Sequence, residues 1–124
     1  MKKIIFLFFS QLLFVSNASA EWSYIGRWKG DDMYIHWGTV SINNRIARFS
    51  VLSDIKSDQS SMIGMQEFDC QRQMWRLIYA RGYDKPMLQG KITGEMKNND
   101  ASWSPIATDG AIYSIRSKIC NARP

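Results

Sequence analysis

Cysteine, proline and histidine are scarce in this chain of 124 residues, which has two cysteines, three prolines and one histidine. The single histidine, His36, lacks visible partners for a metal site or a histidine-based triad, so a packed or surface imidazole is favoured. Long hydrophobic runs are lacking too. The apolar run from Ile4 to Val15 has about 12 residues and contains Ser10 and Gln11, whereas a membrane span needs about 20 apolar residues.

The N-terminus has the three parts of a secretory signal peptide. Lys2 and Lys3 precede the apolar run, and the small-residue exit Ala18-Ser19-Ala20 follows it. We expect residues 1–20 to be a signal cleaved between Ala20 and Glu21, leaving one small domain at residues 21–124. No cysteine lies near the exit for lipid attachment. The mature protein is therefore expected to be periplasmic or secreted, without a stable membrane anchor.

Cys70 and Cys120 allow a single intramolecular pairing, and export would deliver them to a compartment that permits it. A disulfide closing this loop would stabilise a thin core by about 4 kcal/mol in the chain-entropy model. The alternatives are two buried free thiols or redox chemistry. The sequence has no Cys-x-x-Cys spacing that would indicate a redox site.

The charge is modestly basic and carries no nucleic-acid signature. Loss of Lys2 and Lys3 with the signal lowers the net charge from +5 to +3, and the remaining basic residues are scattered along the chain. Such a surface favours acidic partners, and export disfavours nucleic acid.

Alternation of aromatic and β-branched residues predicts an α+β fold with a single antiparallel meander sheet of about five to six strands. Hairpin turns are predicted at Asn43-Asn44 and at Gln71-Arg72-Gln73. A strand break is predicted at Gly38 and a weak strand from Met87 to Met96. Ser53 to Ser61 is a predominantly polar stretch and is expected to be a mobile loop that buries nothing.

The C-terminal segment predicts one short amphipathic helix. Thr108 or Asp109 is the expected N-cap, and the apolar stripe is Ile112, Ile115 and Ile119. Because Cys120 adjoins Ile119, the disulfide would tether this helix to the sheet.

Four segments in order resemble the bacterial surface-adhesin protein E-like family. They are Glu67-Phe68-Asp69-Cys70, Met74-Trp75-Arg76-Leu77, Trp103-Ser104-Pro105-Ile106 and a helix ending Ile119-Cys120. The resemblance covers nearly all of residues 21–124. It implies an exported antiparallel sheet with a helix tied to it by the two cysteines, and recognition of host-matrix proteins. The chain departs from the name-giving adhesin in lacking a lipid-attachment cysteine and in having no basic residue between Ser57 and Asp69.

Arg72, Trp75 and Arg76 form the best candidate binding cluster, with Arg48 and Arg81 expected nearby. Arginine and aromatic side chains dominate the binding energy of many interfaces. The interpretation in which Trp75 is a core residue and the arginines form a solvated surface is nevertheless favoured, because such residues are often structural.

Acidic pairs offer weaker hypotheses. Asp31-Asp32 is interpreted as a solvated turn, because Ca²⁺ needs more oxygen ligands than this loop supplies. Glu67 and Asp69 share a strand face about 6 to 7 Å apart, near a glycosidase spacing, but a solvated, ion-paired face is favoured.

The sequence thus favours a non-catalytic exported binding domain, with no metal or cofactor, for a host-matrix or envelope protein. The alternative is an inhibitor of lysozyme or a protease, which would insert an exposed loop such as Ser53 to Ser61 into the enzyme. A homodimer formed by edge-strand pairing stays open.

Overall fold

A computed structural model describes residues 21–98 and 100–122. The expected signal peptide, residues 1–20, lies outside the described residues, and the expected cleavage site between Ala20 and Glu21 lies at their border. Seven strands form one antiparallel sheet in the order β1-β2-β3-β4-β5-β6, with β7 also paired to β5. They are β1 (Trp22–Trp28), β2 (Asp31–Asn43), β3 (Ile46–Ile55), β4 (Ser60–Asp69), β5 (Met74–Tyr83), β6 (Ile92–Lys97) and β7 (Ser104–Pro105).

The predicted α+β meander is confirmed, and so are both hairpin turns. Asn44 has a φ of 59° and Gln73 a φ of 58°, the left-handed conformation that tight turns require. The weak strand expected from Met87 is shorter than predicted, because Pro86–Leu88 forms a 3₁₀ turn and β6 starts only at Ile92.

The break expected at Gly38 is wrong, because β2 continues through an irregularity between His36 and Ser41. Thr39 holds this irregularity in place. Its Oγ1 donates to the His36 carbonyl at 2.7 Å and accepts from the Ser50 backbone N–H at 3.1 Å. A Cβ at Gly38 would lie 2.8 Å from His36 Cε1, so the glycine lets the imidazole pack closely.

The expected mobile loop at Ser53 to Ser61 is also wrong. Strands β3 and β4 extend to within a four-residue turn of each other, and Asp54 and Ser61 are buried register partners. Asp54 Oδ1 accepts from the Met87 N–H at 2.8 Å, and Ser61 Oγ accepts from the Leu88 N–H at 2.8 Å. The polar side chains are therefore buried because the 3₁₀ segment covers them and satisfies their hydrogen bonds.

Two short helices, α1 (Ala111–Ser114) and α2 (Arg116–Cys120), replace the single predicted helix. The N-cap is Gly110, with no side-chain cap, rather than Thr108 or Asp109. Both helices pack on one face of the sheet, where Ile119 and Phe49 are fully buried and Phe68 is almost so. Among the described residues, no helix has the length and apolar character needed to cross a membrane.

The predicted disulfide between Cys70 and Cys120 is formed. Cys70 immediately follows β4, and Cys120 is the last residue of α2, so the bond joins the end of the sheet's fourth strand to the end of the helical segment. Both cysteines pack against the main apolar core. The sheet face opposite the helices carries the charged residues described below.

Candidate functional site

Strand alternation separates two sets of side chains at the end of β4. Phe68 is in the core under the helices, and its neighbours Glu67 and Asp69 therefore project from the opposite face of the sheet. Cross-strand register places Arg48 of β3 and Arg76 of β5 on either side of Glu67. Both carboxylates are nonetheless buried, with residue exposures of 5% for Glu67 and 0% for Asp69.

Glu67 binds two guanidinium groups, one from each neighbouring strand. Arg48 donates to Oε2 from Nε at 3.0 Å and from Nη2 at 2.7 Å, and Arg76 Nε donates to Oε1 at 2.8 Å. Burial raises the pKa of the Glu67 carboxyl, but the hydrogen bonds from the two arginines outweigh burial and hold the pKa below its usual value. The carboxylate is therefore ionised at neutral pH.

Asp69 also binds two guanidinium groups, and in addition it caps a turn. Arg45 Nε and Arg72 Nε donate to its Oδ2 at 3.1 and 2.8 Å. The backbone N–H groups of Gln71 and Arg72 donate to Oδ1 at 3.0 and 3.1 Å. Burial raises the pKa of Asp69, yet these four hydrogen bonds more than compensate and hold it far below the usual range for an aspartate.

The guanidinium groups themselves reach solvent. The side chains of Arg45, Arg48 and Arg72 are 52%, 53% and 52% exposed. Arg76 is more enclosed, because its Cζ lies 4.2 Å from the centroid of the Trp103 ring and its Nη1 donates to the Ala101 carbonyl. We call this set the arginine surface: Arg45, Arg48, Arg72, Arg76 and Trp103.

Three of the five residues predicted to bind a partner lie on the arginine surface, namely Arg48, Arg72 and Arg76. Trp75 does not, because alternation turns it to the other face, where it packs against the core and its Nε1 donates to Gln66 Oε1 at 2.7 Å. Arg81 is also elsewhere and pairs with Glu95 of β6 at 2.8 Å.

Sequence reasoning missed Arg45 and Trp103. Arg45 directly follows the Asn43-Asn44 turn, and its position opposite Asp69 depends on the β3–β4 register, in which Ile46 pairs with Asp69. Trp103 precedes the short strand β7, and only the pairing of β7 with the start of β5 brings it under Arg76. Neither contact leaves a local signal in the sequence.

The Glu67–Asp69 pair is ion-paired as expected, but it is buried rather than solvated. A glycosidase pair needs one carboxyl that keeps its proton near neutral pH. Both carboxyls here have lowered pKa values, so neither carries a proton near neutral pH that it could donate to a substrate. The arginines also occupy their oxygens. The arrangement is suited to holding guanidinium groups in place rather than to acid catalysis.

The remaining candidates are placed in ordinary structural roles. His36 pairs through Nε2 with Glu21 at 3.2 Å and packs edge-on against Trp22. The solvated turn expected at Asp31-Asp32 is wrong, because both residues lie within β2 and the largely buried Asp32 binds Arg27 at 3.0 Å. Within residues 21–98 and 100–122, no group of three or more His, Cys, Asp or Glu could hold a metal ion.

A pocket opens beside the arginine surface, at the end of the β2–β3 hairpin. Its volume is about 410 Å³, and its walls are mostly polar. They include Ser41, Asn43, Asn44, Arg48 and Arg76. The guanidinium groups of the last two therefore border a space that a ligand could enter.

Solved structures of Haemophilus influenzae protein E resemble this fold. Crystal form II superposes with a TM-score of 0.59 at 17% identity, covering 79% of this chain and 87% of that chain. A second structure of the protein gives 0.60 at 14% identity, covering 82% and 84%. A third, from a non-typeable strain, gives 0.57 at 17% identity, covering 79% and 75%.

A search of curated protein sequences found no significant match. The model of one family, described as surface-adhesin protein E, matches residues 22–121. This match spans nearly all of the described residues, including both cysteines and the whole arginine surface. The chain therefore belongs to the surface-adhesin protein E family.

Proposed function

We propose that the protein is an exported, non-catalytic binding domain that recognises an acidic surface on a host-matrix or bacterial-envelope protein. The observation that carries this proposal is the arginine surface. Four guanidinium groups face two carboxylates there, which leaves a surplus of two positive charges. Membership of an adhesin family supports a binding role.

The geometry favours binding because the arginines are already oriented. Among the hydrogen bonds of the described residues, Arg45 and Arg72 donate to Asp69 only from Nε. Their terminal nitrogens can therefore donate to a partner. A guanidinium group offers two parallel donors that match a carboxylate. Fixing these long side chains in advance reduces the entropy lost on binding.

Trp103 adds an aromatic contact to this charged surface. It packs under Arg76 at 4.2 Å and under Arg72 at 5.8 Å. Tryptophan and arginine side chains dominate the energetics of many protein interfaces. Together these residues can supply both apolar area and charge to one partner.

An inhibitor of lysozyme or a protease is less well supported. That alternative needs a long exposed loop, and Ser53 to Ser61 is mostly strand with buried Asp54 and Ser61. We also infer export by the signal at residues 1–20, to the periplasm or beyond the cell. Homodimerisation through edge strands stays a prediction.

The test is binding of residues 21–124 to immobilised matrix proteins and to envelope extract, compared with the variant Arg45→Ala/Arg72→Ala. We expect at least ten-fold weaker binding for the double variant at low salt. Arg116→Ala is the matched control, since Arg116 stacks on Tyr113 in the helical segment, outside the arginine surface. Equal affinity of folded double variant and wild type would contradict the proposal, as would the absence of any partner.

A further inference from the structure

The polar pocket at the end of the β2–β3 hairpin lies over two neighbouring rows of cross-strand partners. In one row Ser41 of β2 pairs with Arg48 of β3. Arg48 pairs with Glu67 of β4, and Glu67 pairs with Arg76 of β5. Asn43 belongs to the next row. Directly opposed residues of antiparallel strands project from the same face of a sheet. Hydroxyl, amide and guanidinium groups from three strands therefore border one space of about 410 Å³.

The irregularity in β2 is what places a hydroxyl group beside Arg48. Between the pair His36–Ser50 and the pair Ser41–Arg48, four residues lie on β2 but only one on β3. In a regular antiparallel ladder Gly38 would be the partner of Arg48, and this wall of the pocket would have no side chain. The additional residues of β2 put Ser41 in that position instead.

The groups around the pocket keep donors and acceptors for a ligand. Arg48 donates to Glu67 from Nε and Nη2, which leaves its Nη1 for a ligand. The side chains of Ser41, Asn43 and Asn44 make no hydrogen bond within residues 21–98 and 100–122, and all three residues are exposed. The oxygens of Glu67, in contrast, are occupied by two guanidinium groups.

The charges around the pocket favour a ligand with one anionic group. Two guanidinium groups and one carboxylate border the space, which leaves a surplus of one positive charge. The other polar groups are a hydroxyl and two amides, which are uncharged and can both donate and accept hydrogen bonds. The volume lies within the range of about 300–1,000 Å³ that is usual for small-molecule sites. A matching ligand has one negative charge and several hydroxyl groups.

We propose that this pocket binds one acidic sugar residue of a glycan, in which a carboxylate is attached to a ring with several hydroxyl groups. The carboxylate accepts from Arg48 Nη1. Ser41, Asn43 and Asn44 bind the ring hydroxyls. Ile46, which also lines the pocket, contacts the C–H groups of the ring. This proposal deepens the proposed function and rests on its assignment of Arg48 to ligand binding.

An acidic peptide fits this pocket less well than an acidic sugar. An aspartate or glutamate side chain supplies a carboxylate but no hydroxyl group, and it fills little of a space of about 410 Å³. The amides of Asn43 and Asn44 would gain no partner from such a side chain. Carboxylates of a protein partner are better matched by Arg45 and Arg72, whose side chains are half exposed outside the pocket.

The experiment is a titration of ¹⁵N-labelled residues 21–124 with methyl glucuronide at neutral pH and low salt, followed by the side-chain amide signals in NMR spectra. We expect saturable shifts at Asn43 and Asn44. Asn121, which follows α2 on the other face of the sheet, should not shift. Methyl glucoside has the same ring without the carboxylate and should bind at least ten-fold more weakly, because it cannot pair with Arg48.

A double variant tests the uncharged wall of the pocket. Ser41→Ala/Asn43→Ala should weaken methyl glucuronide binding at least five-fold. Both residues are exposed, so the variant keeps the fold. Asn121→Ala deletes an amide outside the pocket and should leave sugar binding unchanged. The double variant should also keep the affinity for a protein partner of the arginine surface, since neither Ser41 nor Asn43 belongs to that surface.

Two oligosaccharides distinguish the sources of such a sugar. A hyaluronan hexasaccharide represents host matrix, and a glucuronate-containing oligosaccharide from the cell envelope represents a bacterial source. At least one of them should bind more tightly than methyl glucuronide, because a longer chain extends beyond the pocket onto the arginine surface. Failure of both to bind would contradict recognition of a glycan.

Four further results would overturn the proposal. They are the absence of saturable shifts with methyl glucuronide, equal affinity for methyl glucoside, unchanged affinity in the folded double variant, and equally tight binding of N-acetylglutamate amide. Absence of sugar binding together with a protein partner that depends on Arg45 and Arg72 would leave the proposed function intact. Selective sugar binding without any protein partner would contradict the proposed function alone.

Discussion

The guanidinium group of Arg76 lies over the Trp103 ring, with Cζ 4.2 Å from the ring centroid, while its Nε donates to the buried carboxylate of Glu67 at 2.8 Å. The same arginine thus connects an ion pair to an aromatic contact. Cation–π pairs contribute about 0.5–1 kcal/mol where solvent can reach them and more where it cannot. Arg76 is the most enclosed of the four arginines, with a side chain 27% exposed.

A double-mutant cycle of Arg76→Ala and Trp103→Ala should therefore show coupling. We expect an interaction energy of about 1 kcal/mol, measured by urea unfolding. The control cycle pairs Arg81→Ala with Trp103→Ala, because Arg81 contacts Glu95 instead. It should be additive within about 0.5 kcal/mol. Additive effects in the first cycle would show that the stacking carries no energy.

Asp69→Asn should destabilise the protein. The change removes the charge that holds Arg45 and Arg72 and weakens the cap on the following turn. Hydrogen bonds to charged groups contribute about 1.5–3 kcal/mol, so we expect a loss of about 2 kcal/mol in the free energy of unfolding at neutral pH. The exposed control Asp109→Asn should change it by less than about 0.5 kcal/mol. Equal effects of both variants would contradict this role for Asp69.

The pH dependence of stability should reflect both buried carboxylates. Their pKa values are lower in the folded protein than in the unfolded chain, so between the two values the unfolded chain binds more protons. Their contribution is complete above the unfolded pKa values of about 4 and is lost as the pH falls below them. Urea unfolding at a series of pH values from neutral to acidic should show this loss. The slope of stability against pH should be shallower in Asp69→Asn, and an unchanged slope would exclude Asp69 as its source.

Loss of the disulfide should destabilise the helical segment first. The bond closes a separation of 50 residues, for which chain entropy predicts about 4 kcal/mol of stabilisation. Cys70→Ser/Cys120→Ser should therefore lower the melting temperature strongly and release α1 and α2 from the sheet. Hydrogen exchange of Ile119 compared with Phe49, which lies in the sheet, would detect this release. Equal exchange increases at both positions would indicate that the whole fold opens together.

Gly38→Ala should be destabilising although β2 is continuous there. The new Cβ would approach His36 Cε1 to 2.8 Å, and the imidazole is held by Glu21 and Trp22. Overpacking of this kind costs about 1–3 kcal/mol. Gly94→Ala is the matched control, since a Cβ there meets nothing within 4 Å. In thermal unfolding, Gly38→Ala should have a lower melting temperature than wild type, and Gly94→Ala an equal or higher one. The reverse order would contradict the steric argument.

Sequence reasoning succeeded where the signal is local. The Asn43-Asn44 turn depends on residues that tolerate a positive φ, and the observed φ of Asn44 is 59°. It failed where a distant segment determines the environment. Asp54 and Ser61 are predicted to be loop residues because they are polar, yet the 3₁₀ segment Pro86–Leu88 covers both and donates backbone N–H hydrogen bonds to them. The Ser61 hydroxyl in turn donates to the carbonyl of Lys85, just before that segment.

The candidate site shows the same division. Alternation along β4 was sufficient to place Glu67 and Asp69 on one face, and alternation along β5 placed Trp75 on the face opposite Arg76, in agreement with the packing of Trp75 against the core. Inclusion of Trp75 and Arg81 in one cluster with Arg76 ignored that alternation and the length of β5. Arg45 and Trp103 could not be found in this way, since strand register and the pairing of β7 bring them to the site.

The antiparallel sheet, its tight turns and the pairing of Cys70 with Cys120 could be predicted from the sequence alone, because side-chain alternation, turn chemistry and a single pair of cysteines are properties of short segments or simple counts. The orientation of four arginines by two buried carboxylates and the position of Trp103 beneath Arg76 could be recognised only in the folded chain. These features depend on contacts between residues far apart in the chain, where packing and register rather than local pattern fix which groups meet.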